Sequence, residues 1–411
     1  MFSKSLQCRR KRRATPNSPA DCAGMTQKRP LESLKVIDLS RVLAGPLCGQ
    51  MLADMGADVI KIEPPDGDLM RAWPPMLDGY SQYFASVNRN KRSVALDLKT
   101  AKDLQAARTL ALSADVVVEN FRPGVMAKFG LDYATLSAVK PSLVYCSVSA
   151  YGQTGPRAAE GGFDMTVQAM SGVMSVTGEP GGRPAKCGIP IADFTAGLYA
   201  AYSIAAVLSR VRGGGKGEHI DMSMLGGMLG IAHLQTSELF ATGRDPVALG
   251  SAHPMNAPYA AFRCRDGYFA LAAGTNKLWQ ATCEAIDRVD LTRDARFASP
   301  ELRAKNQNAL RDLLEDAFSA SDAAELLERL RTRGVPCAPI NMYSQVLADP
   351  QVQHMGWVEE MTLPNGVKSK VVMSPQRMGT ERPRVYRDPP ALGEHTAEVL
   401  AQLVANRNDP K

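Results

Sequence analysis

Few residues in this chain have the types and spacing to do chemistry, and the clearest of them is Asp193 in CGIPIADFTAGLYA. It follows a Gly/Pro-rich loop and a short apolar strand-like run, and it opens an apolar helix in the position of an N-cap. A carboxylate there either satisfies backbone N–H groups or stands ionised at the positive end of the helix dipole. Three polar segments fall at strand ends or turns: Asn88-Arg89-Asn90-Lys91-Arg92, Glu119-Asn120-Phe121-Arg122-Pro123-Gly124 and Tyr151-Gly152-Gln153-Thr154-Gly155-Pro156. Carboxyl ends of parallel strands are where α/β sheets bind ligands, although solvated loops read the same way. The five histidines form no motif with Ser, Asp or Cys, and no metal-ligand spacing is present, so no metal is expected. The glycine run 213–217 ends a helix instead of opening one, which fits a C-cap better than a phosphate cradle.

The elements that must position these residues alternate. LKVIDLS, a Gly-containing turn, a helix from Leu47 to Met55 and the strand ADVIKIEPP make a βαβ unit, hence a parallel sheet of Rossmann type. The fingerprint G-x-G-x-x-G is absent, which argues against a nicotinamide cofactor. SVALDLK, ADVVVENF and SLVYCSVSAYG continue as strands separated by helices, and the Val run implies burial on both faces. Beyond about residue 226 the helices lengthen, AFRCRDGYFALAAG reads as a hairpin turning on Asp-Gly, and GVPCAPI as a strand. Strands WVEEMTL and VKSKVVM, a Pro-rich stretch and a helix from Thr396 close the chain. The expected class is α/β: a Rossmann-like large domain (31–225, with a C-terminal return over 351–411) and a smaller α+β domain (226–350).

Of the +6 net charge, residues 1–30 carry +7, so the remainder is close to neutral. A nucleic-acid binder would carry its basic face on the folded domain, so none is expected as a partner. The tail lacks an apolar signal core and reads as a disordered extension, or as the result of an early start with Met25 the true one. Its arginines also permit a mitochondrial transit peptide. Eight scattered cysteines argue for reduced thiols, so cytoplasm is the expected compartment, with the mitochondrial matrix as the alternative. No apolar run approaches the ~20 residues of a membrane span, so no membrane association is expected.

RVLAGPLCGQMLADMGADVIKIEPPDGD, SVNRNKRSVALDLK, VVVENFRPGV, SAYGQTGP and ADFTAGLYA together resemble the class III CoA-transferase family, over Leu34 to the LGEHT at 392–396. This family contains formyl-CoA transferase, the carnitine CoA-transferases and α-methylacyl-CoA racemase. The resemblance is nearest to the succinyl-CoA:dicarboxylate branch. It implies an interlocked homodimer, CoA and acyl-CoA as substrates with no tightly bound cofactor, and a covalent aspartyl nucleophile at the position of Asp193. The positions matching CoA contacts are Leu43, Ala44, Leu96, Asp97, Leu98, Lys99, Asn120, Phe121, Arg122 and Lys128; a family arginine after the second strand is Pro64 here. Arg71, Arg89 and His253 are weaker candidates for the acid substrate. Two alternatives accompany transferase: racemisation of a 2-methylacyl-CoA, and a non-catalytic acyl-CoA binder. The racemase histidine falls on Phe163 and its glutamate on Asn276, and neither residue can move the α-proton. In place of the glycine loop of formyl-CoA transferase the chain has GSAHPMNAP (250–258), and Leu43 replaces its first-turn glutamine.

Overall fold

The structure, a computed structural model, describes residues 28–408; the readings of the tail as extension, early start or transit peptide lie outside these residues for positions 1–27. The chain runs β1 (Lys35–Asp38), α1 (Ala44–Asp54), β2 (Asp58–Glu63), the short pair β3 (Met76–Leu77) and β4 (Tyr80–Ser81), and α2 (Gln82–Asn88). It continues with β5 (Lys91–Ala95), α3 (Ala101–Ser113), β6 (Val116–Glu119), α4 (Val125–Lys128), α5 (Tyr133–Ser137) and β7 (Val144–Ser149). Then come α6 (Asp164–Met170), α7 (Ile191–Arg212), β8 (His219–Ser223), α8 (Met224–Ile231) and α9 (His233–Thr242).

Six strands form one parallel sheet in the order β5-β2-β1-β6-β7-β8. Successive crossovers leave β1 in opposite directions, so the gap between β1 and β6 is a switch point where ligands bind beyond the strand ends. Both faces are covered, as the valine run requires. Val116 and Val118 pack with α1 and α7, while Val117 between them packs with α3 and α5. That is the two-residue period of a strand buried on both sides.

α7 is the spine of one face. It is 22 residues long and apolar enough to cross a membrane by length and composition, which corrects the expectation that no run approaches that size. Ala192, Ala196, Ala200, Ala201, Ile204 and Leu208 of α7 are buried, packed in a cluster with Cys48 and Leu52 of α1. Gly197 lets α1 and α7 touch: a Cβ there would sit 2.8 Å from the Ala44 carbonyl oxygen and 3.0 Å from Leu47. Gly197→Ala should therefore push the two helices apart, costing about 1–3 kcal/mol in a urea melt.

A second core gathers Phe262, Phe269, Trp279, Phe297, Leu314, Phe318 and Leu330. It sits between α10 (Asn276–Ala285), α11 (Pro300–Lys305), α12 (Gln307–Phe318), α13 (Ala323–Arg331) and a three-stranded antiparallel sheet. That sheet, of β9 (Tyr259–Cys264), β10 (Gly267–Ala272) and β11 (Cys337–Pro339), has the order β11-β10-β9. The hairpin turns on Arg265-Asp266 rather than Asp-Gly, since Gly267 already pairs with Cys264. α14 (Tyr343–Ala348), α15 (Pro350–Met355) and the hairpin β12 (Val358–Thr362) with β13 (Lys368–Val372) follow. The chain end returns to the large sheet. Ser93 N–H donates to His395 Nδ1 and Ala95 N–H to Thr396 Oγ1, at the start of α16 (Thr396–Asn408).

Candidate active site

Around the switch point the first turn after β1 is bent into an unusual shape. Val42 has φ +65°, rare for a β-branched residue and strained unless held. Its N–H donates to both oxygens of the Asp68 carboxylate, each at 3.2 Å, and Asp68 is paired with buried Lys61 at 3.0 Å. On the other side, Asn120 Oδ1 accepts from Arg41 N–H at 2.7 Å and its Nδ2 donates to the Arg41 carbonyl at 2.8 Å. One side-chain amide thus reads the backbone of Arg41 as a strand partner would. Asn120→Ala leaves both groups unpaired and should raise KM for the CoA ester about tenfold, for a loss of roughly 1–3 kcal/mol.

The turn opens onto two neighbouring cavities. The larger, about 350 Å³, is lined by Arg41, Val42, Ala44, Asn120, Phe121, Arg122, Val148, Glu160, Phe163, Asp193 and Met224, among others. The smaller, about 100 Å³, is lined by Leu96, Asp97, Leu98, Lys99, Pro64, Phe121 and Arg41, among others. Arg41 and Phe121 belong to both, with the guanidinium 4.7 Å over the ring. A groove therefore runs from Lys99 past this pair to Asp193. Arg122 reaches it because Gly161 has no side chain: a Cβ there would lie 2.7 Å from the guanidinium nitrogen. The Gly-rich segment before α6 serves close approach here.

Of the sequence-derived positions, the groove brings together Asp193, Ala44, Leu96, Asp97, Leu98, Lys99, Asn120, Phe121 and Arg122. Leu43 packs away from it, against Met70, Phe84 and Val87, and Lys128 is exposed at the end of α4 outside either lining. The structure moves the weaker acid-substrate candidates elsewhere. Arg89 is 1% exposed and its guanidinium grips Asp54 at 2.6 and 3.2 Å inside the fold. Arg71 is paired with Glu63 at 2.7 Å, stacks on Phe84 and donates to the Pro390 carbonyl. His253 Nδ1 accepts from Met255 and Asn256 N–H, bracing its own loop. That loop touches the approach to α7 at one point, where Gly250 N–H donates to the Gly178 carbonyl.

Two expectations about Asp193 change. Residues 183–190 form no strand, and α7 begins at Ile191 with Pro190 as N-cap, so Asp193 is the third residue of the helix. Nor does the helix terminus keep its carboxyl acidic. Burial in the cavity, with the neighbouring Asp164 carboxylate adding to it, raises the Asp193 pKa to about 7. Desolvation outweighs the helix dipole. The side chain therefore sits close to half ionised near neutral pH, the kind of perturbation that marks candidate functional groups.

From the sequence, Arg41, Val42 and Asp164 are not singled out, and Glu119 is named only as part of a polar segment. Glu119 accepts from Phe121 N–H at 2.8 Å, and burial lifts its pKa to about 7. The signal for Arg41 was its place in RVLAGP, next to the turn that the family positions mark. Among the described residues no group of three or more His, Cys, Asp or Glu could hold a metal.

Phe163 lines the same cavity as Asp193 and stands 71% exposed at its rim. Asn276 lies in the second core's helix α10, where its Oδ1 accepts from Arg303. Neither position offers a proton carrier.

Known proteins resemble the chain over most of its length. A succinate–glutarate CoA-transferase of Agrobacterium fabrum is 40% identical over 92% of this chain and 96% of its own. A succinyl-CoA:glutarate CoA-transferase of Homo sapiens is 37% identical over 92% of this chain and 87% of its own. The crystal structure of a CAIB/BAIF family protein from Brucella suis superposes with a TM-score of 0.82 at 40% identity, covering 92% of this chain and all of that one. The model of CoA-transferase family III matches residues 31–396, and the chain belongs to that family.

Proposed function

We propose that this enzyme moves CoA from succinyl-CoA to a dicarboxylic acid, with Asp193 as covalent nucleophile. The observation that carries the reading is the placement of a half-buried carboxylate at the end of a groove already lined by the family's CoA positions. The glutarate specificity named for two relatives supports a dicarboxylate acceptor.

An Asp193 oxygen attacks the thioester carbonyl and the C–S bond breaks, giving a mixed anhydride and CoA thiolate. The thiolate attacks the aspartyl carbonyl and releases the donor acid, leaving an aspartyl-CoA thioester. The acceptor carboxylate then attacks this thioester, expels the thiolate and forms a second anhydride. Thiolate attack on the acceptor's carbonyl frees Asp193 and completes the transfer. Anhydrides hydrolyse, so the apolar lining of Val42, Ala44, Val148 and Met224 has a purpose.

Incubation with succinyl-CoA and a panel of mono- and dicarboxylic acids, with CoA esters resolved by chromatography, tests the reading. New esters from dicarboxylates are expected; an enzyme that makes none from any acid is something else. Loss of an α-deuterium from a 2-methylacyl-CoA would instead reveal racemisation.

The attacking form is the carboxylate, so the pH dependence has a definite sign. Asp193 titrates at about 7 and is charged above that. First-turnover acylation should be flat at high pH and fall about tenfold per unit below pH 7.

The enzyme acts as a homodimer. Leu198 and Tyr202 of α7, Ile231 of α8, and Leu234 and Phe240 of α9 are large apolar side chains exposed on consecutive helices, which favours their burial against a second copy. Light scattering should return twice the 44.3 kDa chain mass, and a monomer at micromolar concentration would contradict this. The six described cysteines are all free, which supports a reducing compartment, the cytoplasm or the mitochondrial matrix.

A further inference from the structure

The carboxylate nearest in effect to Asp193 has a place of its own. Asp164 is the first residue of α6, and its Oδ1 accepts from the N–H of Ala192 in the first turn of α7 at 2.9 Å. Its Oδ2 accepts from Gln168 Nε2 at 2.8 Å. Gln168 is fully buried, and its Oε1 accepts from the N–H of Cys187 at 2.8 Å. One carboxylate and one amide therefore tie together the start of α6, the loop before α7, and the turn that presents Asp193. A neutral residue at 164 could make the first of these bonds. The bond to Gln168 needs the second acceptor oxygen, and the bond to Ala192 needs no charge.

We propose that Asp164 is a positioning residue that fixes the first turn of α7 and opposes the Asp193 charge, so that acylation, which removes that charge, is favoured. The inference rests on Asp193 being the nucleophile. The charged groups that line the cavity with Asp193 are Arg41 after β1, Arg122 after β6, and Glu160, which is paired with Arg157. α1, β7 and α8 present Ala44, Val148, Ser149 and Met224, none of which is ionisable in this range. Asp164 is thus the one charge that α6 brings to the nucleophile. Bonded to the residue that precedes Asp193, the Asp164 carboxylate adds to burial in holding the Asp193 carboxyl above the usual carboxylate range. Converting Asp193 to a neutral thioester relieves that repulsion, so the ratio of aspartyl-CoA to free enzyme rises with the Asp164 charge.

The test compares wild type with D164N, D164E and D164A, using succinyl-CoA alone. It reads the pH profile of the first turnover and, by intact-protein mass spectrometry, the fraction of enzyme carrying CoA. In D164N the Ala192 N–H keeps an acceptor, while the charge and the acceptor for Gln168 Nε2 are lost. Its acid limb should move down by about one pH unit and its ratio of CoA-bound to free enzyme should fall about tenfold. D164E restores the charge and should keep the wild-type limb. D164A loses both acceptor and charge and should acylate more slowly than D164N while sharing its shifted limb. A D164N enzyme with an unmoved limb and an unchanged CoA-bound fraction overturns the proposal while leaving Asp193 as nucleophile. A wild-type enzyme that carries no CoA on Asp193 overturns both.

Discussion

Replacing Asp193 by alanine should lower CoA transfer by about 10³-fold or more, with the fold intact. The size of the effect follows from covalent catalysis. The other groups near that end of the groove are engaged or inert: Ser149 Oγ accepts from Gly152 N–H, Asp164 from Ala192 N–H and Gln168 Nε2, Glu160 is paired with Arg157, and Phe163, Val148 and Met224 are apolar. Alanine also suits the local backbone, since Asp193 lies inside the first turn of α7 and makes no capping bond that the helix needs. Removing a carboxyl group that burial holds near pKa 7 should leave stability unchanged or slightly raised above neutral pH. The sign follows from linkage: the fold favours the protonated form, so its cost appears only as pH rises from the usual carboxylate range through about 7. Comparing kcat of the wild type with that of a folded Asp193→Ala enzyme measures this. Activity within tenfold of wild type would falsify the covalent role.

The second large effect is on stability. Arg89→Ala leaves Asp54, which is buried, with Asn90 and Ser374 as its side-chain partners among the described residues. Breaking one side of a buried ion pair strands the other charge, a loss of about 3–5 kcal/mol, and the two remaining hydrogen bonds place this case at the lower end. Urea unfolding should show a lower midpoint, with the KM for the acid unchanged in whatever fraction folds. The opposite pattern, a raised KM at full stability, would restore Arg89 as a substrate contact.

Arg89 also shows where the sequence misleads. Asn88-Arg89-Asn90-Lys91-Arg92 is five polar residues in a row, and such a run reads as a solvated or ligand-binding loop. In the structure it is buried scaffold. Lys91 Nζ sits within 2.8 Å of Asp38 and 2.9 Å of Asn88 beneath the site, Asn90 caps residues 386 and 387, and Arg92 pairs with Asp58. Apart from near neighbours such as Asn88, their partners lie dozens to hundreds of residues away, so no local pattern reports them. The βαβ alternation was legible for the opposite reason. It depends on periodicity and turn residues, which are local, and the Val116–Val118 run read correctly as buried on both faces.

Within the site, the ordered motifs around Ala44, Leu96–Lys99, Asn120–Arg122 and Asp193 were legible, and the fold gathers them at one switch point. The ionisation of Asp193 was not. A helix terminus argues for an acidic carboxyl, and only the cavity and the approach of Asp164, 29 residues earlier, reverse that. Arg41 escaped notice because a side chain in a tight turn gives no hint of pointing along a groove. Its stacking on Phe121 depends on β1 and β6 being neighbours.

The most direct measurement is to mix the enzyme with succinyl-CoA in the absence of acceptor, quench, digest and sequence the CoA-bearing peptide by mass spectrometry. CoA on Asp193, discharged by adding a dicarboxylic acid, is the predicted result. CoA attached at another residue, or turnover with no covalent adduct at any time point, would contradict it.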